Sequence, residues 1–564
     1  MPVKHEPTPS PDLLRSLDLE RFADPAVREV LTLLVNIIEE QRRQIAELRA
    51  ENQLLRDEIT RLKGEQGTPN IKGNTPPPGP PTNYSSERER RKPAKWVKGR
   101  RNEHLSVDRE ERLTVGREAL PSGAVFKGYQ DVIVQELVLR SETVRYRRER
   151  WYLPTERRVV VASLPPGADG QFGPVLRSFV LALGYGAQVS ESGIHQLLRD
   201  VGVQISTGQV GRLLIHGQDH WHAEASAIAE AALAGSPWQT LDDTPTRVNG
   251  QNHYCQVLTS PLATVYRTTK AKDRLTVLDV LRNGRPRTFL FNDEAAAWLA
   301  EVDLSPRTLR GLEHLPRDTV LTETALDALL TAHLPDLGSL HRRRLREALA
   351  IAAYHADVGH PVVQLLLCDD APQFSRVTKA LALCWIHEGR HYKKLAPLLP
   401  AFQAALHQFL TQFWDYYHAL LAYQQSPTAA ESERLARDFD TLFTTTTGFR
   451  LLDERIALTR QKKHRLLQVL AHPEVPLHSN AAELGARRRV RKRDVSFGPR
   501  SASGAHAWDT FQTLAATTAQ HGLSFFGYLR DRLTAANQLP SLVDRIHAHA
   551  LTTGPRSTWA ATPA

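Results

Sequence analysis

The chain has 564 residues, and its 72 Lys and Arg against 62 Asp and Glu give a formal net charge of +10. At about 100–200 residues per domain, this length predicts three or four units. The cysteines, Cys255, Cys368 and Cys384, are few, odd in number and far apart, which excludes a disulfide framework and favours a reducing compartment. Neither an apolar run of about 18 residues nor a signal-peptide core is present, so we expect a cytoplasmic protein without a membrane partner.

The basic excess is modest for this length, and its clustering is more informative than its size. Basic runs occur near residues 88–101 and 487–493. Clustered Lys and Arg side chains are typical of surfaces that bind a polyanion. The distribution of charge therefore indicates a nucleic acid partner.

A coiled coil is predicted at residues 27–65, after a polar, proline-bearing N-terminus (1–26) that we expect to be flexible. Asn52 occupies a heptad a position, which favours a parallel dimer in fixed register. A helix that packs on the body of its own chain is the alternative. The apolar a and d residues are Leu31, Leu34, Ile38, Ile45, Leu48, Leu55, Ile59 and Leu62.

Three segments follow before the acidic part of the chain. Residues 66–101 combine the semi-rigid run Pro76–Pro81 with a basic arm that could lie along DNA, although a plain linker is equally compatible. Residues 102–170 predict a small antiparallel β module, because β-branched and aromatic residues alternate with charged ones from the strand-like run Val132-Ile133-Val134 to Val161. Residues 171–232 predict a helix-turn-helix-like DNA-binding region, because a capping box at 206–209 opens a second short helix. A helical hairpin that binds nothing remains the alternative.

Residues 233–292 and 360–382 are predicted to form one α/β core. The first strand ends in Asp242-Asp243, and two more strands and a helix follow, as at the start of a ribonuclease-H-like fold. The apolar run 362–368 is closed by Asp369-Asp370, as expected for a buried parallel strand with an acid at its carboxyl end. An acid pair that caps the next helix is the alternative. Residues 293–359 and 383–475 are predicted helical insertions, and we expect the aromatic residues of the second to form its core.

The region 476–548 places Glu483 directly before six basic side chains with no acid among them. Because cations repel one another, such a cluster suits a phosphodiester polyanion together with a divalent metal, whereas a solvated helix face is the alternative. On an ideal helix each residue turns about 100°, so not all six can face one way. A tail follows at 549–564. The predicted DNA-binding residues are Asn480, Arg487, Arg488, Arg489, Arg491, Lys492 and Arg493.

Short motifs occur in one order along the chain: Leu241-Asp242-Asp243-Thr244, Asn252-x-Tyr254-Cys255, Asp369-Asp370-Ala371-Pro372-Gln373-Phe374, Ala382-Leu383-Cys384-Trp385-Ile386-His387, Pro476-Leu477-His478-x-Asn480-x-x-Glu483, Arg491-Lys492-Arg493 and Phe525-x-x-Tyr528-Leu529. As an ordered set they resemble the DDE transposases of the insertion-sequence-66 type. The resemblance runs from about residue 170 to residue 548, and the coiled coil and proline-rich linker are similar too.

The resemblance implies an α/β, ribonuclease-H-like (DDE) core with all-helical insertions, which cleaves DNA and transfers strands at the ends of a mobile element. By motif position, the catalytic and metal-binding carboxylates are Asp242, Asp369 and Glu483, with Asp243 and Asp370 as alternative ligands. Adjacent side chains on a strand face opposite ways, so only one of each pair can point at the metals. Two Mg²⁺ or Mn²⁺ ions about 3.5–4 Å apart suit such hard oxygen ligands.

The resemblance also implies partners and a location. We expect double-stranded DNA (element ends and target), a second copy of the chain bound through the coiled coil, and a bacterial, nucleoid-associated setting; a need for accessory transposition proteins stays open. Cys384 and His387 stand at C-x-x-H spacing, but only two ligands are local, so we expect no structural zinc. A cysteine-rich zinc module is common near the linker in such proteins, whereas this chain has no cysteine before Cys255.

Two other functions remain open from the sequence. A domesticated or inactive relative would bind DNA without cutting it. A coiled-coil scaffold would use its basic patches to bind RNA or acidic proteins.

Overall fold

The computed structural model describes Leu14, residues 17–62 and residues 106–553, except positions 117, 119, 122, 169, 302, 303 and 305. The predicted linker at 66–101, with its basic arm, lies outside the described residues, as do most of the flexible N-terminus and the end of the tail. Contacts divide the chain into two units. The described parts of Met1–Pro78, Leu164–Ile194 and Thr207–Ala564 form the first unit, and those of Gly79–Ser163 and His195–Ser206 form the second.

The described residues contain nine strands, which we number in chain order. They are β1 Arg150–Leu153, β2 Arg158–Val161, β3 Trp238–Val248, β4 Gln251–Thr259, β5 Thr264–Thr269, β6 Thr288–Leu290, β7 Val320–Thr322, β8 Leu365–Cys368 and β9 Ala380–Leu383.

The helices before the central sheet's last strand are α1 Pro25–Leu62, α2 Pro174–Leu181, α3 Glu191–Asp200, α4 Thr207–Ile215, α5 Asp219–Gly235, α6 Arg274–Leu281, α7 Asp293–Ala300, α8 Pro306–Leu312, α9 Glu323–His333 and α10 Ser339–His355. Those after it are α11 Trp385–Lys393, α12 Pro400–Gln425, α13 Ala429–Leu442, α14 Arg450–Gln461, α15 Lys463–Leu466, α16 Gln468–Ala471, α17 Asn480–Ser496, α18 Ala502–Gln520, α19 Phe525–Leu533 and α20 Leu542–Thr553. Among the described helices, none is long and apolar enough to cross a membrane.

A mixed five-stranded sheet forms the centre of the first unit, in the order β5-β4-β3-β8-β9. The strands β3, β4 and β5 form an antiparallel meander, whereas β8 and β9 run parallel to β3. All four residues of β8 are buried, as their apolar run predicts for a strand that is covered on both faces. The fold is therefore mixed α/β, with most of its residues in helices around this sheet.

Helices α17 and α18 cover one face of the antiparallel strands. The buried side chains of Cys255, Val257 and Tyr266 pack there against Ala486 of α17. Asp509 of α18 accepts hydrogen bonds from the backbone N–H and the hydroxyl of Thr268, at 2.6 and 2.8 Å. These contacts fix the two C-terminal helices on the sheet.

The second unit contains the antiparallel hairpin β1-β2, in which Trp151 pairs with Val160, and the part of α3 from His195 onward. The predicted strand at 132–134 is not a strand in the structure, and its apolar side chains are exposed. Alternation of apolar and charged residues produces a strand only where a partner strand and a buried face exist. Within the described part of residues 102–170, the expected β module is therefore reduced to this hairpin.

Residues 400–471 form a helical bundle with an aromatic core. Phe413 and Trp385 are completely buried, and their ring centroids lie 5.5 Å apart. Phe402, Phe409 and Trp414 are each less than 5% exposed. The prediction that these aromatic side chains form a core is confirmed.

The N-terminal helix α1 packs on this bundle through one of its faces. Val35 and Glu39 are buried, and the backbone N–H of Leu398 donates to Glu39 Oε1 at 2.6 Å. Asn36 bonds the backbone around Gly448, where it donates to that carbonyl at 3.1 Å. The heptad a and d side chains lie on a different face of the helix and are mostly exposed. Helix α1 therefore packs on the body of its own chain with one face. On another face it exposes its apolar a and d side chains, which we call the apolar seam.

Candidate active site

Asp242 and Asp369 occupy equivalent positions on neighbouring parallel strands. The register pairs Thr240 of β3 with Leu367 of β8, and each aspartate comes two residues later. Because β8 ends at Cys368, Asp369 is the first residue after that strand. The pairing thus brings the two acids together at the carboxyl end of β8, the edge where ligands of α/β sheets bind.

Glu483 approaches the same place from helix α17. Gly485 is buried on the face of α17 that meets the sheet, and a Cβ atom there would lie 2.6 Å from Cγ1 of Val257. Val257 is the register partner of Asp242 on β4. The Tyr266 hydroxyl donates to the Gly485 carbonyl at 3.2 Å. The missing side chain therefore allows α17 to lie directly on the sheet beside Asp242.

The pKa of Asp242 is raised to about 6, first by burial and then by the negative charge of Glu483, with a further contribution from Asp369. The backbone N–H of Asp243 donates to Asp242 Oδ1 at 2.9 Å and opposes this rise. Three carboxylates from distant parts of the chain therefore act on one another electrostatically.

The second acid of each predicted pair is neutralised by the protein itself. Asp243 forms an ion pair with Lys272, whose Nζ lies 3.2 Å from Oδ1. Asp370 forms ion pairs with Lys462, at 2.6 Å, and with Arg465, at 3.3 Å. The carboxylate oxygens of Asp243 and Asp370 are thus already paired with cations of the protein, whereas a metal ligand needs an oxygen that is open to the ion.

The first acid of each pair has a different environment. Asp242 accepts from the neighbouring N–H, and Asp369 accepts from the N–H of Ala371 at 3.1 Å. Within the described ranges, no basic side chain lies at ion-pair distance from either carboxylate. Their oxygens are thus the ones that can take an external cation.

Glu483 is surrounded by cations from α11 and from its own helix. The Arg390 guanidinium donates through Nη2 to both carboxylate oxygens, at 3.1 and 3.2 Å. His387 Nε2 lies 3.6 Å from the carboxylate, and Arg390 Nη1 lies 2.9 Å from that ring nitrogen. Arg487, one turn further along α17, lies 3.9 Å away. His387, considered above as a zinc ligand, therefore faces the third carboxylate of the site.

The donor set suits a hard divalent ion, because it consists of carboxylates whose mutual repulsion raises the pKa of Asp242. The arrangement is not preassembled. Among the described side chains, no group of three or more His, Cys, Asp or Glu is placed so that it could hold a metal ion. Glu483 would have to exchange Arg390 for the metal.

Two of the six basic residues after Glu483 are interior residues. Arg489 is 1% exposed and forms an ion pair with Asp509. Lys492 is 4% exposed, and its Nζ donates to the Gly184 carbonyl at 2.6 Å. Burial lowers the pKa of Lys492 to about 8. The prediction that these two side chains contact DNA is therefore corrected, because the sheet-facing side of α17 encloses them.

The remaining basic residues lie toward the surface. Arg487 and Arg491 are exposed. Arg488 and Arg493 are partly buried, and Arg493 donates to the Pro245 carbonyl at 2.6 Å. Asn480 is the first residue of α17, one turn before Glu483. Arg487 and Arg491, four residues apart, therefore lie on the exposed side of α17.

The sequence of the chain matches a family model and a bacterial protein. Residues 353–507, which include Asp369 and Glu483, match the model of the transposase IS66 family. The chain is also 32% identical over 309 residues to an uncharacterized protein, y4jO, of Sinorhizobium fredii (strain NBRC 101917 / NGR234). That match covers 54% of this chain and 94% of the relative.

This is a transposase by class, and the chain belongs to the transposase IS66 family. The resemblance drawn from the ordered motifs is confirmed. Membership implies in general an enzyme that binds and cleaves DNA, and enzymes of the DDE class generally use divalent metal ions.

Sequence reasoning missed four basic residues of this site. They come from separate helices and loops and meet the acids only in the fold: Arg390, Lys272, Lys462 and Arg465. Arg390 stands three residues after His387, so the spacing puts both on one helical face. That spacing was the one available signal, and it does not reveal which acid the pair would face.

Proposed function

We propose that the protein is a DDE transposase that cleaves DNA and transfers strands at the ends of an insertion sequence, with Asp242, Asp369 and Glu483 as its catalytic carboxylates. The parallel register of β3 and β8 carries the proposal, because it aligns two acids that stand far apart in the sequence. The raised pKa of Asp242, to which Glu483 contributes, supports the third member. A three-stranded meander followed by two parallel strands supports a ribonuclease-H-like core.

The chain's own residues prepare the site for a polyanion. Asp242, Asp369 and Glu483 would hold two Mg²⁺ or Mn²⁺ ions, which would supply activation of a water or a 3′-hydroxyl and stabilisation of the leaving oxygen. Lys272 and Lys462 neutralise the two neighbouring aspartates. This pairing lowers the negative charge that an approaching phosphodiester meets.

DNA binding is proposed for the exposed side of α17. Arg487 and Arg491 would contact the phosphate backbone, with Arg488, Arg493 and Asn480 closer to the cleaved strand. Phosphate contacts of this kind position the duplex without reading its sequence. The helix-turn-helix-like region of α3 and α4 stays a proposal for sequence recognition.

The test is cleavage of DNA that carries the gene with its natural flanks, incubated with purified protein and Mg²⁺. Asp242→Asn, Asp369→Asn and Glu483→Gln should each reduce product to below about a hundredth of the wild-type rate, because each removes a metal ligand. Glu433→Gln is the matched control, since this glutamate is exposed on the helical insertion. Full activity of any one of the three site variants would refute the assignment.

A second function is favoured by one observation, the ion pair that occupies Glu483. An inactive relative would bind DNA with an affinity that falls with salt, yet give no metal-dependent product. The same cleavage assay, together with a salt titration of binding, separates the two functions.

A further inference from the structure

We propose that Arg390 is a phosphate-binding residue, which is held on Glu483 in the metal-free protein and moves to the DNA backbone when the carboxylate takes a divalent ion. The inference rests on the proposed function, since it requires Glu483 to be a metal ligand. It concerns a residue that the three-carboxylate mechanism does not include.

The contact geometry is that of an exchangeable ion pair. One nitrogen, Nη2, lies almost equally far from both carboxylate oxygens, at 3.1 and 3.2 Å. A guanidinium that bridges both oxygens occupies the space that a metal ion would need. A metal ion that takes the side of the carboxylate between these two oxygens would displace the arginine from it.

The exposure of this pair separates it from the permanent ion pairs of the same unit. The Arg390 side chain is 44% exposed, whereas Arg489 and Arg455, in their pairs with Asp509 and Glu388, are 1% and 14% exposed. The Glu483 side chain is 13% exposed, so it is the arginine that is open to solvent and can leave without being desolvated elsewhere. Breaking a pair whose arginine is buried would leave an uncompensated interior charge. Arg390 is therefore free to change partners without disturbing the fold.

Helix α11 itself is anchored, so the exchange requires movement of a side chain alone. Glu388, two residues before Arg390, is buried and bonded to Arg455 and Thr459 of α14, and Lys462 Nζ lies 3.2 Å from it. Those contacts hold the backbone of α11 beside the carboxylates. Once released, the guanidinium stays within reach of any phosphate bound there.

Phosphate is the ligand that this chemistry favours. A guanidinium matches the oxygens of a phosphodiester through paired N–H donors as well as it matches a carboxylate. A DNA strand bound at the three acids would be the polyanion closest to Arg390. The exchange would couple metal binding to DNA binding at one residue.

The experiment compares Arg390→Ala with the full-length wild-type protein in two binding assays. Without DNA, the variant should bind Mn²⁺ about 5- to 10-fold more tightly, because the carboxylate no longer has to give up an arginine. With a short duplex of arbitrary sequence, it should lose about 10-fold in affinity when Ca²⁺ is present, and little when divalent ions are removed. Arg390→Lys should recover only part of that affinity, since an ammonium lacks the paired donors.

Arg434→Ala is the charge-matched control, because Arg434 is exposed on α13 and forms ion pairs with Glu431 and Asp438 of its own helix. It should change neither binding constant. Weaker Mn²⁺ binding by Arg390→Ala, or a loss of DNA affinity that is the same with and without Ca²⁺, would overturn the exchange. Loss of cleavage in Asp242→Asn would leave the proposed function standing in either case.

Discussion

The ionised side chain of Asp242 lowers the stability of the folded protein when no metal is bound. Its pKa in the folded protein, about 6, lies above the ordinary value of 3.8 because of burial and neighbouring acids. Well below the unfolded pKa of 3.8, the carboxyl is neutral in both the folded and unfolded chains, so it carries no penalty. The penalty grows as the pH rises between these two values and is complete above about pH 6, where it reaches at most about 3 kcal/mol.

We therefore predict that Asp242→Asn stabilises the metal-free protein at about pH 8 and has a much smaller effect at about pH 4. The gain should be about 1–3 kcal/mol in the free energy of unfolding of the unit that contains the sheet. Urea denaturation at the two pH values, followed by tryptophan fluorescence, measures it. Asp243→Asn is the adjacent control, and it should give no gain because it removes the ion pair with Lys272. An equal gain at both pH values would contradict the explanation.

Single residues show which parts of the site the sequence pattern could predict and which parts it could not. Asp369 was predictable because it follows an apolar run that is long enough for a buried strand. Arg390 was not predictable, since its partner Glu483 is 93 residues away along the chain. The contact exists only after α11 packs beside α17. Lys492 was misassigned, because a run of basic residues predicts a surface and cannot show that one side of the helix meets a sheet.

At the scale of elements, Gly485 controls how closely α17 approaches the sheet. In an open helical position, Gly→Ala stabilises by up to about 1 kcal/mol because alanine has the higher helix propensity. At residue 485 the added Cβ would lie 2.6 Å from Val257. The collision reverses the usual sign of the substitution.

We predict that Gly485→Ala lowers the free energy of unfolding by about 1–3 kcal/mol, and reduces cleavage by displacing Glu483. Thermal unfolding and the cleavage assay measure the two effects. Gly208→Ala in α4 is the matched control, since nothing lies within 4 Å of the Cβ position there, and it should stabilise. If both variants stabilise, the close approach of α17 is not a constraint.

Element type was more predictable than element contacts. The buried strand β8 and the aromatic bundle followed from apolar patterns that leave few alternatives. The predicted strand at 132–134 failed because alternation is a local property, whereas a strand needs a partner. Gly485 could not have been singled out, because a helical glycine has no pattern that reveals a neighbouring sheet.

At the scale of the whole molecule, α1 presents an unpaired apolar seam. Ile45 and Leu48 are 48% and 63% exposed, and Leu55 and Ile59 are 57% and 51% exposed. These a and d positions would be buried by a second copy of the helix. The opposite side of α1 is already used by Glu39 and its neighbours on the helical bundle.

We predict that Leu48→Glu combined with Leu55→Glu converts a dimer to a monomer, because two charges would enter the seam. Sedimentation velocity of the full-length protein measures the change. Leu54→Glu is the control, since Leu54 is 71% exposed but stands outside the a and d positions. A monomeric wild-type protein, or dissociation by the control variant, would exclude a dimer through this seam.

The pairing of β3 with β8 also has a consequence for biosynthesis. Thr240 and Leu367 are 367 − 240 = 127 residues apart, and Glu483 emerges from the ribosome later still. Contacts of such sequence separation form slowly, since a long loop must close before they are made. A nascent chain that ends before α17 holds at most two of the acids. A chain elongated past α17 is thus the first species that can possess all three.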